Sequence, residues 1–292
     1  MSERPLVWII TGTSSGIGRE ITLAALKRGD HVIATARPQS MSKLDDLEVL
    51  GADILELDVT DSCEKLQQIA NRAVEIHGRV DIVVNNAGYG HNVPVEEMTH
   101  EESVRQFHTN FFGGVNVARA FLPFMRKERT GTIVWIGSTL GWTPSVLGSG
   151  MYSATKAAMR VISQSLNAEI SHLGLRSIHV DLGWFRTAVC SPTNLITSAS
   201  RIADYDSLMA PVRAQLNSFD RTQPGDPVKG AEILVDLVRG EGVAKGREVP
   251  PVIGLGQDYY LSVKQACKNT LEELEEWQAV SCSTDIEPAA FP

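Results

Sequence analysis

The run Leu6-Val7-Trp8-Ile9-Ile10-Thr11-Gly12-Thr13-Ser14-Ser15-Gly16-Ile17-Gly18 decides the fold. Its first half is a short apolar strand and its second half a glycine-rich turn that opens a helix. Glycines there allow a tight turn and let a pyrophosphate approach the backbone, while the helix offers free N–H groups and its positive dipole end. Gly12, Ser15, Gly16, Ile17 and Gly18 are therefore the first candidate cofactor contacts. The spacing is not G-x-G-x-x-G, because extra residues separate the first two glycines.

Moving outward, short β-branched runs alternate with amphipathic stretches. Leu6–Thr11, His31–Ala36, Ala52–Leu57, Asp81–Asn85, Thr132–Gly137 and Ser177–Leu182 are nearly continuous in apolar residues, as strands covered on both faces require. Helical patterns fall near Gly16–Arg28, Asp61–His77, Glu101–Arg126 and Met151–Leu173. Strict alternation predicts an α/β fold, a Rossmann-like doubly wound parallel sheet with right-handed crossovers. The whole of residues 1–292 is expected to be a single domain. Cys190–Pro224 breaks the rhythm and is expected to be an irregular lid over the substrate (190–224). A helix at Pro227–Arg239, a proline-flanked edge strand at Val249–Ile253 and an acidic helix near Tyr259–Trp277 follow. Residues 255–292 form a C-terminal helical extension.

Composition narrows the class. Apolar residues make up 43% and charged residues 21%, which excludes disordered and fibrous chains. The net charge of −8 is concentrated at the end: Leu271–Pro292 holds Glu272, Glu273, Glu275, Glu276, Asp285 and Glu287 and no Lys or Arg. No basic stripe suggests nucleic acid. Cys63, Cys190, Cys267 and Cys282 form no C-x-x-C pair, so neither a metal site nor a disulfide framework is expected. With no membrane span and no signal peptide in the pattern, the expected location is cytoplasmic.

After the second strand, Ala36 is followed by Arg37 where NAD-specific sites usually place an acid. A cation there suits a 2′-phosphate, so the expected cofactor is NADP(H). Tyr152 and Lys156 lie four apart near the start of a helix, on one face and about 6 Å apart along the axis. An ammonium ~4 Å from a phenol is worth ~4 kcal/mol at an effective dielectric of 20, about three pKa units, enough to bring a tyrosine near neutrality. Ser138 closes the fifth strand and Asn85-Asn86-Ala87-Gly88 closes the fourth, both at the carboxyl end of the sheet where ligands bind.

Together these residues resemble the short-chain dehydrogenase/reductase family, and the segment around Leu255-Gly256 with the closing acidic helix is similar to the tail of its hydroxysteroid-dehydrogenase-like branch. The likeness rests on T-G-x-x-x-G-I-G at Thr11–Gly18, N-N-A-G at Asn85–Gly88, Asn110, Ser138, Y-x-x-x-K at Tyr152–Lys156 and Leu57-Asp58-Val59-Thr60. It implies that Tyr152 is the general acid or base, that Lys156 holds the nicotinamide ribose and lowers the Tyr152 pKa, and that Ser138 hydrogen-bonds the substrate oxygen. It further implies that Asn110 supports a proton path, that Asp58 and Val59 meet the adenine, and that Asn86, Ala87 and Gly88 pass the adenosine ribose. Phe185 and Thr187 would read the carboxamide, although Leu182 replaces the family's usual proline in Leu182-Gly183-Trp184-Phe185-Arg186-Thr187.

Trp142, Leu147, Trp184, Phe185 and Met209 are expected to wall an apolar pocket for a bulky ketone or alcohol. The expected activity is NADP-dependent interconversion of CH–OH and C=O. The same constellation also serves imine reduction, epimerisation or non-redox cyclisation, or a cofactor-binding protein without turnover. The resemblance further implies that the long helices at Glu101–Arg126 and Met151–Leu173 pack against their counterparts in a partner subunit. Phe111, Phe112, Val115, Phe121 and Leu122 supply apolar surface for this, so a homodimer or homotetramer is expected.

Overall fold

The computed structural model describes residues 4–191 and 194–286. Residues 192–193 of the expected lid and 287–292 of the C-terminal extension lie outside the described residues. The chain runs β1 (Val7–Ile10), α1 (Gly16–Lys27), β2 (His31–Ala36), α2 (Asp45–Val49), β3 (Asp53–Glu56), α3 (Cys63–His77), β4 (Ile82–Asn85) and β5 (Gly90–Asn92). It continues through α4 (His100–Phe107), α5 (Gly113–Glu128), β6 (Gly131–Ile136), α6 (Gly150–Ile170), β7 (Leu175–Leu182) and β8 (Leu195–Thr197). The last elements are α7 (Ala203–Phe219), α8 (Pro227–Arg239), β9 (Val252–Leu255) and α9 (Gln257–Cys282).

Seven strands form one parallel sheet in the order β3-β2-β1-β4-β6-β7-β9. The strand period of two sorts the core into two layers. Val7 and Ile9 of β1 join Leu66 and Ile69 of α3, Val117 and Phe121 of α5 and Met159 of α6 on one face. Trp8 and Ile10 join Ile21 of α1 and Leu234 and Val235 of α8 on the other. Winding reverses between β1 and β4, which opens a crevice beyond their carboxyl ends. β9 closes the sheet at the edge, consistent with the Pro250-Pro251 pair that precedes it.

Helix ends follow local chemistry. Thr99 and Glu102 form a reciprocal capping box at α4, and Asp226 caps α8 ahead of Pro227. The stretch expected as one helix, Glu101–Arg126, is interrupted. A π-turn over His108–Phe112 separates α4 from α5 and carries Asn110. Such turns relieve the helical register so that one side chain can be re-aimed.

The segment Cys190–Pro224 is more regular than its polar composition suggests. β8 pairs in parallel with β5, and α7 spans seventeen residues. The sequence of α7 gives no clear 3.6-residue stripe because only Met209 and Leu216 are buried. Tyr205 donates to Glu96 at 2.5 Å and Arg201 pairs with Glu102, so polar contacts hold the segment to the body. No residue of α9 is buried, and no described helix is long and apolar enough to cross a membrane.

Candidate active site

A cavity of about 720 Å³ follows the crevice across the carboxyl ends of the strands. Of the sequence-derived candidates, Gly12, Ser15, Gly16, Ile17, Arg37, Asp58, Val59, Asn86, Ala87, Gly88, Ser138, Tyr152, Lys156, Phe185 and Thr187 all line it. Gly18 and Asn110 stand just behind its wall.

The glycine loop is stapled from below. Thr11 Oγ1 accepts from the Asn86 and Ala87 N–H groups at 3.0 Å each, and Asn86 Nδ2 donates to the Thr11 carbonyl at 2.7 Å and the Gly12 carbonyl at 3.1 Å. Gly12 sits at φ +71°, a conformation side chains resist, so the turn needs glycine there. Gly18 packs against the Asn86 amide. Ser15 caps α1 with extended backbone and no side-chain hydrogen bond, leaving the first-turn N–H groups open to an anion. Ser14, Arg37 and Ser40 gather at the β2 end of the cavity. The Arg37 guanidinium makes no hydrogen bond or ion pair among the described residues. Asp58 Oδ1 accepts from the Thr60 N–H and hydroxyl at 2.9 and 2.7 Å, fixing the turn that forms the next wall. These groups fit the pyrophosphate and adenosine of a dinucleotide.

At the other end, Asn110 clasps the main chain of Tyr89: Oδ1 accepts its N–H at 3.0 Å and Nδ2 donates to its carbonyl at 2.9 Å. Asn110 Nδ2 also lies 3.3 Å from Thr155 Oγ1 on α6. Asn110 thus holds the loop after β4 against α6 at Thr155, the residue next to Lys156. Lys156 Nζ donates to the Ile136 carbonyl at 2.7 Å and lies 5.8 Å from the Tyr152 ring centroid. Burial pushes the Lys156 ammonium down to about 8. The Tyr152 phenol is pushed up to about 12, chiefly by burial, with the Ser138 hydroxyl opposing and the Asp181 charge adding.

The expected lowering of Tyr152 by Lys156 is therefore not supplied by the protein alone. Desolvation dominates, and no lowering by Lys156 offsets it while its ammonium donates to the Ile136 carbonyl. What the protein provides is a protonated phenol beside a serine hydroxyl on a cavity wall.

The apolar end departs from expectation. Trp184 and Phe185 line the cavity, whereas Trp142, Leu147 and Met209 do not. Trp142 lies flat against the Arg160 guanidinium, Leu147 is half exposed, and Met209 is buried where α7 meets Gly148. Val146, Val189, Leu195, Ile196 and Leu216 supply the apolar surface instead. The missing proline is compensated: the Gly183 N–H donates to the Leu255 carbonyl at 2.9 Å and the Trp184 N–H to Asp258 Oδ2 at 2.7 Å. β9 and the first turn of α9 thus hold the loop that a proline would otherwise stiffen.

Several lining residues escaped the sequence. His91 is buried, faces the cavity and makes no hydrogen bond among the described residues, and burial pushes its imidazole down so that it is neutral at pH 7. Asp258 and Ser262 reach the cavity from α9. Nothing local marks them, since their placement depends on β9 returning the chain to β7. No cluster able to hold a metal ion occurs among the described residues.

This fold and this wall of Ser138, Tyr152 and Lys156 define a dinucleotide-dependent class of α/β oxidoreductase. The chain belongs to the short chain dehydrogenase family, which it matches over residues 6–195. It is 29% identical over 283 residues to the oxidoreductase BOA17 of Botryotinia fuckeliana, covering 95% of this chain and 98% of that one. It is 35% identical over 204 residues to a 3-ketodihydrosphingosine reductase of Bacteroides thetaiotaomicron, covering 69% and 72% of the two chains. A crystal structure of a short-chain dehydrogenase from Streptomyces avermitilis superposes with a TM-score of 0.86 at 35% identity, covering 98% of this chain and all of that one.

Proposed function

We propose that the protein is an NADP(H)-dependent reductase that converts a bulky, largely apolar ketone to its alcohol, and the reverse. The observation that carries this reading is the Tyr152 phenol, held protonated beside Ser138 on the wall of a cavity continuous with the glycine loop. A nicotinamide cofactor, when bound, supplies or accepts the hydride at the reacting carbon.

The chain's own residues handle the oxygen. The Ser138 hydroxyl donates to the carbonyl oxygen and stabilises charge developing there. Tyr152 Oη delivers the proton that completes the alcohol, and takes it back in oxidation. Lys156 keeps a cation behind the phenol as that proton leaves, and Asn110 holds the surrounding main chain in place. Arg37, with Ser14 and Ser40 beside it, suits the 2′-phosphate of NADP(H). Val146, Trp184, Val189, Ile196 and Leu216 favour an apolar body in the substrate. A 3-ketodihydrosphingosine reductase among the relatives supports the direction of chemistry.

The test follows NADPH oxidation against a panel of apolar ketones, aldehydes and imines, with NADH in parallel. Turnover of at least one bulky ketone with preference for NADPH is expected. Turnover of imines alone, or no oxidation of either cofactor across the panel, overturns the reading.

A further inference from the structure

α6 carries Tyr152, Lys156 and Arg160 at four-residue spacing, so one helical face presents a phenol, an ammonium and a guanidinium in a row. β7 opposes that row with a single acid. Asp181 is fully buried between Val180 and Leu182. Its Oδ1 accepts from the Ser138 N–H at 3.0 Å and from His179 Nε2 at 2.9 Å. Its Oδ2 is buried with no hydrogen-bond partner, and Arg160 Nε, 3.9 Å away, is equally without one. The Arg160 guanidinium instead lies flat on Trp142, 3.3 Å from the ring centroid.

Gly137 explains how the main chain comes so near. A Cβ there would overlap the Asp181 carboxylate and the His179 ring, so only glycine lets the end of β6 pass over the acid. Burying a carboxylate is costly unless its partners are complete. Holding the Ser138 N–H and the His179 ring needs one neutral oxygen. The charge, left partly uncompensated on Oδ2, is not needed for that.

We propose that Asp181 is a positioning residue of the active site, fixing the Ser138 main chain and setting a buried carboxylate against the face of α6 that carries Tyr152. The inference rests on the reading of Tyr152 as the acid–base group. The groups facing Asp181 can be named element by element. β7 itself contributes His179, and α6 contributes Tyr152, Lys156 and Arg160. The end of β6 contributes only the main chain and hydroxyl of Ser138. α9 contributes Tyr259, whose phenol is raised mainly by burial and further by Asp181, while Cys267 acts on Arg160. The Asp181 charge likewise raises Tyr152 and opposes the lowering of Lys156 by burial. Arg160 is the one Lys or Arg within 4.0 Å of the Asp181 carboxylate among the described residues, at 3.9 Å from Oδ2, so its removal leaves the Asp181 charge less offset.

The test compares wild type, Asp181→Asn and Arg160→Gln as full-length proteins, with circular dichroism as the check on folding. Asp181→Asn keeps an acceptor for the Ser138 N–H and removes only the charge. In alcohol oxidation, the acid limb of kcat/KM is expected to move down by about half a unit to one unit in Asp181→Asn and up in Arg160→Gln. A second readout needs no activity. The fraction of Tyr152 ionised at the most alkaline pH where the fold holds comes from ultraviolet difference spectra against the matching Tyr152→Phe proteins. That fraction is expected to rise in Asp181→Asn and fall in Arg160→Gln. Unmoved values in both variants overturn the inference and leave Asp181 a residue of the fold. If Asp181→Asn does not fold, an unmoved value in Arg160→Gln overturns it alone. Shifted spectra in a protein that turns over no carbonyl support the inference and overturn the proposed function.

Discussion

Lys156 Nζ donates to the Ile136 carbonyl at 2.7 Å, tying the end of β6 to the helical face that carries Tyr152. The bond satisfies one of three ammonium protons, so burial still pushes the lysine down to about 8. Stability is thereby given up for a cation near the phenol.

Lys156→Met is therefore expected to stabilise the protein while removing activity. A shift from 10.5 to about 8 corresponds to about 3 kcal/mol against the folded state. Losing the Ile136 bond offsets about 1 kcal/mol of the gain, leaving about 2 kcal/mol, or a rise in Tm of several degrees. Above about 8 the folded wild type sheds the proton while the unfolded chain holds it until about 10.5, so wild-type stability rises with pH across that window. The advantage of the variant fades over the same range. Calorimetry at pH 7 and pH 10 checks both, and a less stable variant at pH 7 contradicts them.

Tyr152→Phe removes the transferable proton and leaves the ring in place. Turnover is expected to fall by a factor on the order of 10² or more with NADPH binding nearly unchanged. Steady-state kinetics and fluorescence titration of NADPH separate the two, and equal turnover ends the acid–base assignment.

The sheet was legible because its central strands are continuous apolar runs, and the glycine loop, Asn86, Ser138, Tyr152 and Lys156 because each ends a strand or begins a helix. The π-turn at Asn110 left no mark, since His108-Thr109-Asn110-Phe111-Phe112 holds no Gly or Pro to interrupt the helical pattern. Asp181 does carry a sequence signal: an acid two residues from a histidine inside a buried strand demands partners. Trp142 and Met209 misled because size and apolarity say nothing of direction. One serves as a platform for Arg160 and the other as the anchor of α7.

Arg37→Ala is expected to weaken NADPH far more than NADH. A charge-assisted contact to the 2′-phosphate is worth about 1.5–3 kcal/mol, roughly 10- to 150-fold in affinity, and NADH has no phosphate there to lose. Equilibrium binding of both cofactors to both proteins checks this. Equal losses would make Arg37 a bystander and reopen the choice of cofactor.

Assembly into a homodimer or homotetramer is expected to bury the outer face of α4, α5 and α6. Phe121 belongs to the core and drops out of the argument, but Phe112 is 49% exposed, Val104 50% and Val161 68%. Phe111 packs edge-on against Phe107 and Phe112, so the apolar surface there is contiguous. Light scattering at micromolar protein is expected to give a multiple of the 31.8 kDa chain mass. A species of that single mass contradicts the assembly, and Phe112→Glu is expected to shift an oligomer toward it.

The segment from Cys190 to Pro224 is expected to act as a lid whose two parts differ in stability. β8 is stitched to β5, with the Gly90 N–H donating to the Asn194 carbonyl at 2.8 Å, so that end stays attached to the loop after β4. α7 has two buried residues in seventeen and is tethered by exposed polar contacts such as Tyr205 to Glu96, each worth little in water. It should open at far lower free energy than α6, which is packed under β7. Leu216 already faces the cavity, so an apolar substrate adds burial to α7 and shifts the balance toward the closed form. Amide exchange across Ala203–Phe219 is expected to be fast in the free protein and slower with cofactor and substrate together, with β8 protected in both. Exchange in α7 that is already slow without ligand would make it a fixed wall, and selectivity would then rest on the rigid shape set by Val146, Trp184 and Ile196.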